Sequence, residues 1–195
     1  MNAFLQKAAV TKGYKTAAAG TEIAHTFDPK AGLRCVILAL QAVCGTTAQN
    51  IYFMQAKKTT VKTAAASAAN VVYLTADPTD PDGNATAAGD IVCIEMDDGT
   101  YDWDAVSAFG ATSNKVTIVG TLNDSVGVGN GFWTFGTTRN SAHQTMYMAA
   151  SEHLYRSGLG GIHSDPNVGY PMRVAISNAT AACFWGYLSA GYINS

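Results

Sequence analysis

The stretch IVCIEMDDGTYDWDAV, residues 91–106, decides the fold class that the sequence predicts. Apolar and polar residues alternate in it, which is typical of a half-buried β-strand. Asp98-Gly99 supplies the residue types that a tight hairpin turn favours. The residues expected on the apolar face are Val92, Ile94 and Met96 on the first strand and Tyr101, Trp103 and Ala105 on the second. Asp102 and Asp104 would then point outward, on a solvated strand face.

Similar short runs of branched and aromatic residues recur on both sides of this hairpin, separated by turn residues. They cover residues 22–27, 35–43, 50–56, 70–76, 115–122, 131–136, 144–150, 172–178 and 183–193. Their spacing is that of an all-β sandwich or barrel. Residues 64–69 are compatible with a helix or with a strand or turn of small residues.

Charge divides the chain into compositionally different parts. Residues 1–62 hold eight basic and two acidic residues, whereas residues 63–138 hold one basic and ten acidic residues. The segment 76–90 is rich in Pro, Asp and Gly and is predicted to be an exposed connection. We therefore expect an inserted acidic β-module at 85–137. The remaining domain, a β-sandwich, would consist of residues 21–84 and 138–195. The acidic face of the module is either simply solvated or an electrostatic handle for a neighbour.

Residues 1–20 are rich in Ala, Thr and Lys and contain no acidic residue. Such a segment has too few large apolar side chains to fold alone, so we predict a flexible N-terminal arm that orders on a partner. The alternative is an edge strand of the sandwich. The residues of the arm expected to contact a partner are Phe4, Leu5, Lys7, Lys12, Tyr14 and Lys15.

The composition excludes several classes of protein. The chain has 195 residues, 13% of them charged, and a formal net charge of −2. A charged fraction about half the usual one suits a protein whose surface is partly covered by neighbours. The charge balance does not favour nucleic-acid binding, and no apolar run is long enough to span a bilayer. We expect no secretory signal either, because lysines interrupt the N-terminal segment.

The four cysteines, Cys35, Cys44, Cys93 and Cys183, show no paired spacing and lie in apolar contexts. We expect free, buried thiols, with a Cys35–Cys44 disulfide as the alternative to test.

Motifs of common enzyme classes are missing from the sequence, and we expect no enzyme, no cofactor and no metal site. His143, His153 and His163 recur at ten-residue intervals, and a zinc site would need His25 or Glu152 as a further ligand. The acidic group at Asp97, Asp98, Asp102 and Asp104 lacks the spacing of a calcium loop. Coincidence and a solvated strand explain these two patterns more simply.

Aromatic residues cluster in two late strands. They are Phe132, Trp133 and Phe135 in the first, and Phe184, Trp185 and Tyr187 in the second. We interpret them as core or interface residues, with a sugar-binding surface as the alternative. Trp133 and Trp185 complete the candidate interface residues.

Four segments resemble structural proteins of tailed-bacteriophage virions. They are TAQNIYFMQAKKTT (47–60), AAGDIVCIEMDDGTYDWDAVSAFG (87–110), KVTIVGTLNDSVGVGNGFWTFG (115–136) and the ending from GYPMRVAISNAT to GYIN (169–194). The resemblance covers about half of the chain. It implies a small barrel-like module set into a larger β-sandwich, and a last strand that follows the Asn-Ala-Thr turn. The predicted fold class is thus all-β, a jelly-roll-like sandwich with a small inserted β-barrel-like module.

The function implied is that of a non-enzymatic virion protein, made in the bacterial cytoplasm. We expect a capsid decoration or cement protein that binds the major capsid protein or another virion protein, and further copies of itself, with a trimer as one option. No membrane and no nucleic acid are expected as partners. The alternatives are another head or tail assembly subunit, a carbohydrate-binding adhesin or fibre-tip module, and a metal-dependent hydrolase built on the three late histidines.

Overall fold

The computed structural model describes residues 5–16, 22–136, 142–159, 162, 168–177 and 183–194. Regular structure in these residues is strand, apart from one short 3-10 turn at Ala111–Ser113. They separate into two compact units, of which the first comprises residues 1–55 and 142–195 and the second residues 56–141.

Nine strands build the first unit. They are β1 (Leu5–Lys12), β2 (Lys15–Thr16), β3 (Ile23–Phe27), β4 (Arg34–Val43), β5 (Gln49–Met54), β12 (Ala142–Met148), β13 (His153–Ser157), β14 (Met172–Ile176) and β15 (Phe184–Ile193). Six strands build the second. They are β6 (Lys57–Thr63), β7 (Val71–Leu74), β8 (Ile91–Glu95), β9 (Tyr101–Gly110), β10 (Lys115–Ile118) and β11 (Gly131–Thr134).

The strands of the first unit pair as one long hairpin. Strand β5 pairs with β12, β4 with β13, β3 with β14 and β1 with β15, all antiparallel. This hairpin is folded into two sheets, with the strand orders β1-β15-β4-β13 and β12-β5-β14-β3, and the short β2 adds to β15. A hairpin rolled up in this way is a jelly roll. The second unit is inserted in the chain at the tip of the hairpin, between β5 and β12.

One apolar core joins the two sheets of the jelly roll. Buried residues of the first sheet, such as Leu40 and Trp185, belong to the same cluster as Ile23, Phe53 and Val174 of the second. Because every second residue of a strand points to the same face, each sheet turns one face inward and the other outward.

The second unit is a closed barrel with its own core. Its strand order is β10-β7-β6-β11-β8-β9, and β9 pairs back onto β10. The core contains Val61, Val72, Ile94, Val116 and Phe132, all fully buried. A closed barrel leaves no free sheet edge, so the insert needs no neighbour to complete its backbone pairing. The predicted fold class, a jelly-roll-like sandwich with a small inserted barrel, is confirmed.

The barrel begins earlier in the chain than its composition indicated. Strands β6 and β7 close it, although they precede the predicted boundary at residue 85 and were expected in the sandwich. The boundary is therefore corrected from 85–137 to 56–141. The distribution of charged residues indicated only the acidic part of the barrel, because the lysines of β6 belong to the basic part of the sequence.

The register of the β8–β9 hairpin also corrects a prediction. Met96 pairs with Thr100 around a three-residue loop in which Gly99 has φ +81°. Ile94 therefore lies opposite Asp102 rather than Trp103. A shift of one residue moves each side chain to the other face of a strand. Asp102 and Asp104 consequently share the face of Val92 and Ile94.

We expect the barrel to be removable, which stays a prediction. Ala142 lies directly opposite Met54 in the β5–β12 ladder, so the two ends of the insert are neighbours. Loop-closure entropy changes slowly with loop length. Replacing residues 56–141 by a short Gly/Ser turn should leave a jelly roll that melts cooperatively by circular dichroism. Loss of a cooperative transition in this variant would contradict the two-unit description.

Candidate docking face

The outward face of the first sheet has two rows of side chains across its strands. Phe184, Val43 and His153 lie in one row, and Tyr187, Gln41 and Tyr155 lie in the next. The row between them, with Trp185, Ala42 and Leu154, belongs to the core. The register shift at Gly186 keeps Phe184 and Tyr187 on the same side of β15.

Gly186 leaves room at this bulge for the Gln41 side chain. A Cβ added to Gly186 would lie 2.9 Å from Oε1 of Gln41, closer than carbon and oxygen atoms in contact. The Gln41 side chain therefore packs directly against Gly186.

Aromatic rings cover this region in two pairs. Tyr14 packs against Phe184 with 5.4 Å between ring centroids, and Tyr155 packs edge to face against Tyr187 at 6.3 Å. Tyr14 is 67% exposed and Tyr155 57% exposed. The hydrogen bond with Tyr155 raises the pKa of Tyr187. We call Tyr14, Tyr155, Phe184, Tyr187 and Gln41 the aromatic face.

The aromatic face continues into small, uncharged residues. The next outward row contains Ser189, Ala39 and Ser157, and Thr11 of β1 lies beside Ser189. The hydroxyl of Thr11 donates to that of Ser189 over 3.5 Å. None of these residues is Asp, Glu, Lys or Arg. Aromatic enrichment and charge depletion are the compositional marks of the centre of a protein–protein interface.

Basic residues gather at the edge formed by β2 and β3. Lys15 Nζ donates to the carbonyl of Ala24, Lys12 Nζ lies 6.0 Å from the centroid of the Phe27 ring, and Arg173 forms an ion pair with Glu22. Burial, together with the charges of Arg173 and Lys12, lowers the pKa of Lys15.

His25 lies buried in this basic edge. Its ring packs against Trp185 with 5.7 Å between centroids, and its Nε2 has no hydrogen-bond partner in the described part of the chain. Desolvation first, and then the charges of Lys15 and Lys12, lower the pKa of His25 to about 4. A hydrogen bond to the Gly13 backbone opposes this shift without cancelling it.

The structure corrects the predicted arm. Strand β1 pairs with β15 from Leu5 to Lys12, and β2 continues along the same strand, so the described part of segment 1–20 is sheet edge. Lys7 lies opposite Tyr192 in this ladder, Tyr14 is on the aromatic face and Phe4 lies outside the described residues. The ladder supplies the backbone partners that the composition of the segment did not reveal.

Both predicted interface tryptophans are core residues. Trp185 is fully buried in the jelly roll, and its Nε1 donates to the carbonyl of Ile23 over 3.1 Å. Trp133 is 2% exposed in the barrel unit, where it packs against Tyr101, and Lys58 Nζ lies 4.9 Å from its ring centroid. Phe132 and Phe135 are buried too, which removes the sugar-binding surface considered for this strand.

The acidic residues of the barrel hold the long connection between β10 and β11. Glu95 accepts a hydrogen bond from Gly131 N, and Asp97 accepts one from Asn130 Nδ2 and one from Ser125 Oγ. Asp102 accepts from both N and Nδ2 of Asn123, and Asp104 accepts from Gly120 N. These hydrogen bonds are 2.8–3.3 Å long. Asp102 is 8% exposed, and desolvation raises its pKa. Asp102 and Asp104 are therefore anchors of a loop rather than a solvated strand face.

The three histidines at ten-residue intervals, His143, His153 and His163, do not form a site within the described residues. His153 is exposed on β13, whereas His163 and the side chain of His143 lie outside the described residues. Among the residues that the structure describes, no group of three or more His, Cys, Asp or Glu is arranged to hold a metal ion. No helix in the described ranges is long and apolar enough to cross a membrane.

Comparison with solved structures gives neighbours that include two structures from one bacteriophage. The chain is similar to VP17, a capsid protein of bacteriophage P23-77, with 8% sequence identity, a TM-score of 0.24 and coverage of 96% of both chains. It is similar to the VP16-VP17 complex, a complex of the two major capsid proteins of the same phage, with 10% identity, a TM-score of 0.24 and coverage of 95% of this chain and 98% of that one. No protein-family model and no curated protein matches the sequence.

Proposed function

We propose that this chain is a non-enzymatic structural protein of a bacteriophage virion, and that it decorates the capsid by binding the lattice of the major capsid protein. The observation that carries the proposal is a jelly roll whose outward sheet face carries two aromatic pairs, Tyr14 with Phe184 and Tyr155 with Tyr187. Jelly rolls are common in viral capsid proteins. The resemblance of four sequence segments to virion proteins supports the same class.

Docking through the aromatic face follows from its physical chemistry. Tyr14, Tyr155 and Tyr187 offer large apolar rings with polar ends, which bury area and still form hydrogen bonds at a rim. The rings already pack on one another, so little side-chain freedom is lost on binding. A stable contact needs about 800 Å² per partner, so the adjoining Ser and Thr positions would be covered as well.

The aromatic face also suits contact between copies of this chain. A homo-oligomer, for instance a trimer, would contact several positions of the lattice at once, one through each subunit. Linked contacts bind much more tightly than single ones, because the second contact forms at a high effective concentration. Self-association is therefore part of the proposal and is measured alongside capsid binding.

Sugar binding is the second candidate, since jelly rolls also occur in lectins. The neighbouring rings of Tyr155 and Tyr187 are the described residues that favour it, because exposed aromatic rings can stack against sugar rings. The two functions differ in what the aromatic face covers, a protein lattice or a glycan.

Replacing Tyr155 and Tyr187 together by Ser should weaken capsid binding at least tenfold while the melting temperature changes little. Hot-spot aromatic residues at interfaces contribute about 2 kcal/mol or more each, whereas exposed side chains contribute little to folding. The measurement is cosedimentation with capsids assembled from the major capsid protein encoded with this chain, and sedimentation equilibrium for self-association.

Tyr147→Ser is the matched control, because Tyr147 is 65% exposed but lies on β12 of the other sheet. It should bind capsids as the unchanged protein does. Equal binding by the Tyr155/Tyr187 variant would overturn docking through the aromatic face. Binding to a glycan array that is lost in the same variant, with no capsid binding by the unchanged protein, would establish the carbohydrate-binding function instead.

A further inference from the structure

Cys44 and Cys183 lie opposite each other across two strands of the jelly roll. Cys44 directly follows β4 and Cys183 directly precedes β15. The register that pairs Val43 with Phe184 brings the two cysteines face to face. Their sulfur atoms are 3.9 Å apart, and both side chains are buried.

The backbone at this position suits a covalent link. Cys44 N donates to the carbonyl of Glu152 over 2.8 Å, on the side of β13. In an antiparallel sheet the N–H and C=O of one residue point to the same side, so on the side of β15 the two cysteines form a non-hydrogen-bonded pair. The Cα atoms of such a pair are about 4.5 Å apart, within the range of about 4.4–6.8 Å that disulfides span.

The Cys35–Cys44 disulfide considered from the sequence is excluded by the distance between the two residues. Cys35 and Cys44 lie nine positions apart along the extended β4 and the residue after it. A strand rises about 3.3 Å per residue, which separates them by about 30 Å. Cys35 instead lies opposite Tyr192, and burial raises the pKa of its thiol to about 12.

We propose that Cys44 and Cys183 form a disulfide when the protein meets a small-molecule disulfide oxidant such as oxidised glutathione. One cysteine thiolate attacks the oxidant and releases one reduced glutathione, which leaves a mixed disulfide on the protein. The second cysteine then attacks the protein sulfur of that mixed disulfide and releases the other glutathione. Two protein thiols lose two electrons and two protons in total, and the oxidant becomes two thiols.

The link would tie together most of the chain. Cys44 and Cys183 are 139 residues apart, and the whole barrel unit lies between them. A cross-link that closes so long a loop restricts the unfolded chain strongly and therefore stabilises the folded one. The inference is independent of the proposed function, because it concerns the two sulfur atoms and the fold only.

Burial makes the reaction slow rather than unfavourable. Desolvation first, and then the neighbouring Cys183, raise the pKa of Cys44 to about 11, so thiolate is scarce at neutral pH. Opening of the strand ends is expected to limit the rate. The finished disulfide would be protected from reductant by the same burial.

The test uses the full chain, purified in reductant and incubated with oxidised glutathione. Titration of thiols after denaturation should fall from four to two, and peptide mapping without reductant should recover a peptide pair linked through Cys44 and Cys183. The melting temperature should rise by roughly 5–15 °C and return to its first value in dithiothreitol.

Cys44→Ser and Cys183→Ser should each abolish the linked peptide pair, whereas the matched variant Cys35→Ser should retain it. The reversible melting shift of the unchanged protein supports the link even where a variant fails to fold. Four titratable thiols after prolonged incubation would overturn the proposal. So would a link between other cysteines, or a melting temperature that dithiothreitol leaves unchanged.

Discussion

Removal of residues 2–18 is expected to lower the melting temperature of the isolated subunit by roughly 10–20 °C. Strand β1 pairs five residues with β15, and β2 adds two more pairs. At about 1 kcal/mol per ladder hydrogen bond, the loss is on the order of 5 kcal/mol. Each kcal/mol corresponds to about 2–4 °C in a chain of this size.

Thermal melts by circular dichroism, run beside capsid cosedimentation, separate an edge strand from a flexible arm. The control is Lys7→Gln with Lys12→Gln, which removes charge from β1 but leaves its backbone in place. This control should melt within a few degrees of the unchanged protein. If the truncated protein keeps its melting temperature and loses capsid binding, segment 1–20 is an assembly arm and the ladder with β15 adds no stability.

Stability should fall as the pH decreases from about 6.5 to about 4, because of His25. The folded chain holds this histidine neutral down to pH about 4, whereas the unfolded chain protonates it at about 6.5. Between these values the unfolded state binds more protons, so the free energy of unfolding decreases with falling pH. The loss reaches about 3 kcal/mol at most and stays constant below pH 4, where both states are protonated.

Urea denaturation at stepped pH measures this effect, and His25→Gln should flatten the curve. The groups that face His25 are Lys15 and Lys12, which repel its proton, the Gly13 backbone, which favours it, and the ring of Trp185. Asp90 and Asp102 have raised pKa values and act in the opposite direction, so only the difference between the two proteins isolates His25. His153→Gln, at an exposed histidine of β13, is the matched control variant. If the free energy of unfolding of His25→Gln falls with pH as steeply as that of the unchanged protein, the burial of His25 does not cause the pH dependence.

The strands missing from the sequence prediction share one property, which is a scarcity of buried side chains. Strand β6, KKTTVKT, fully buries Val61 alone, and β13, HLYRS, buries only Leu154. Both are stabilised by backbone pairing with apolar neighbours, β6 with β11 and β13 with β4. Their own residues therefore show no alternation that a reading of the sequence could detect. The β1 segment was missed for a related reason, since its composition is that of a disordered arm.

The candidate docking face was predictable in part. Tyr14 stood among the predicted contact residues and lies on the aromatic face, whereas Trp133 and Trp185 are core. An aromatic residue in a strand has the same local pattern whether it points inward or outward. The bulge at Gly186 decides that Tyr187 points outward while Trp185 points inward, and the sequence alone does not reveal a bulge.

The sequence by itself determined the all-β class, most of the strands and the presence of an inserted module, because alternation, turn residues and charge are local properties of the chain. Only the tertiary structure decided the jelly-roll order, the start of the barrel at residue 56, the inward face of Asp102 and the meeting of Cys44 with Cys183. The jelly-roll order, the start of the barrel and the cysteine pair depend on which distant strands pair, and the face of Asp102 depends on the register of its hairpin. Pairing partners are selected by burying a shared core, and that selection involves the whole chain at once.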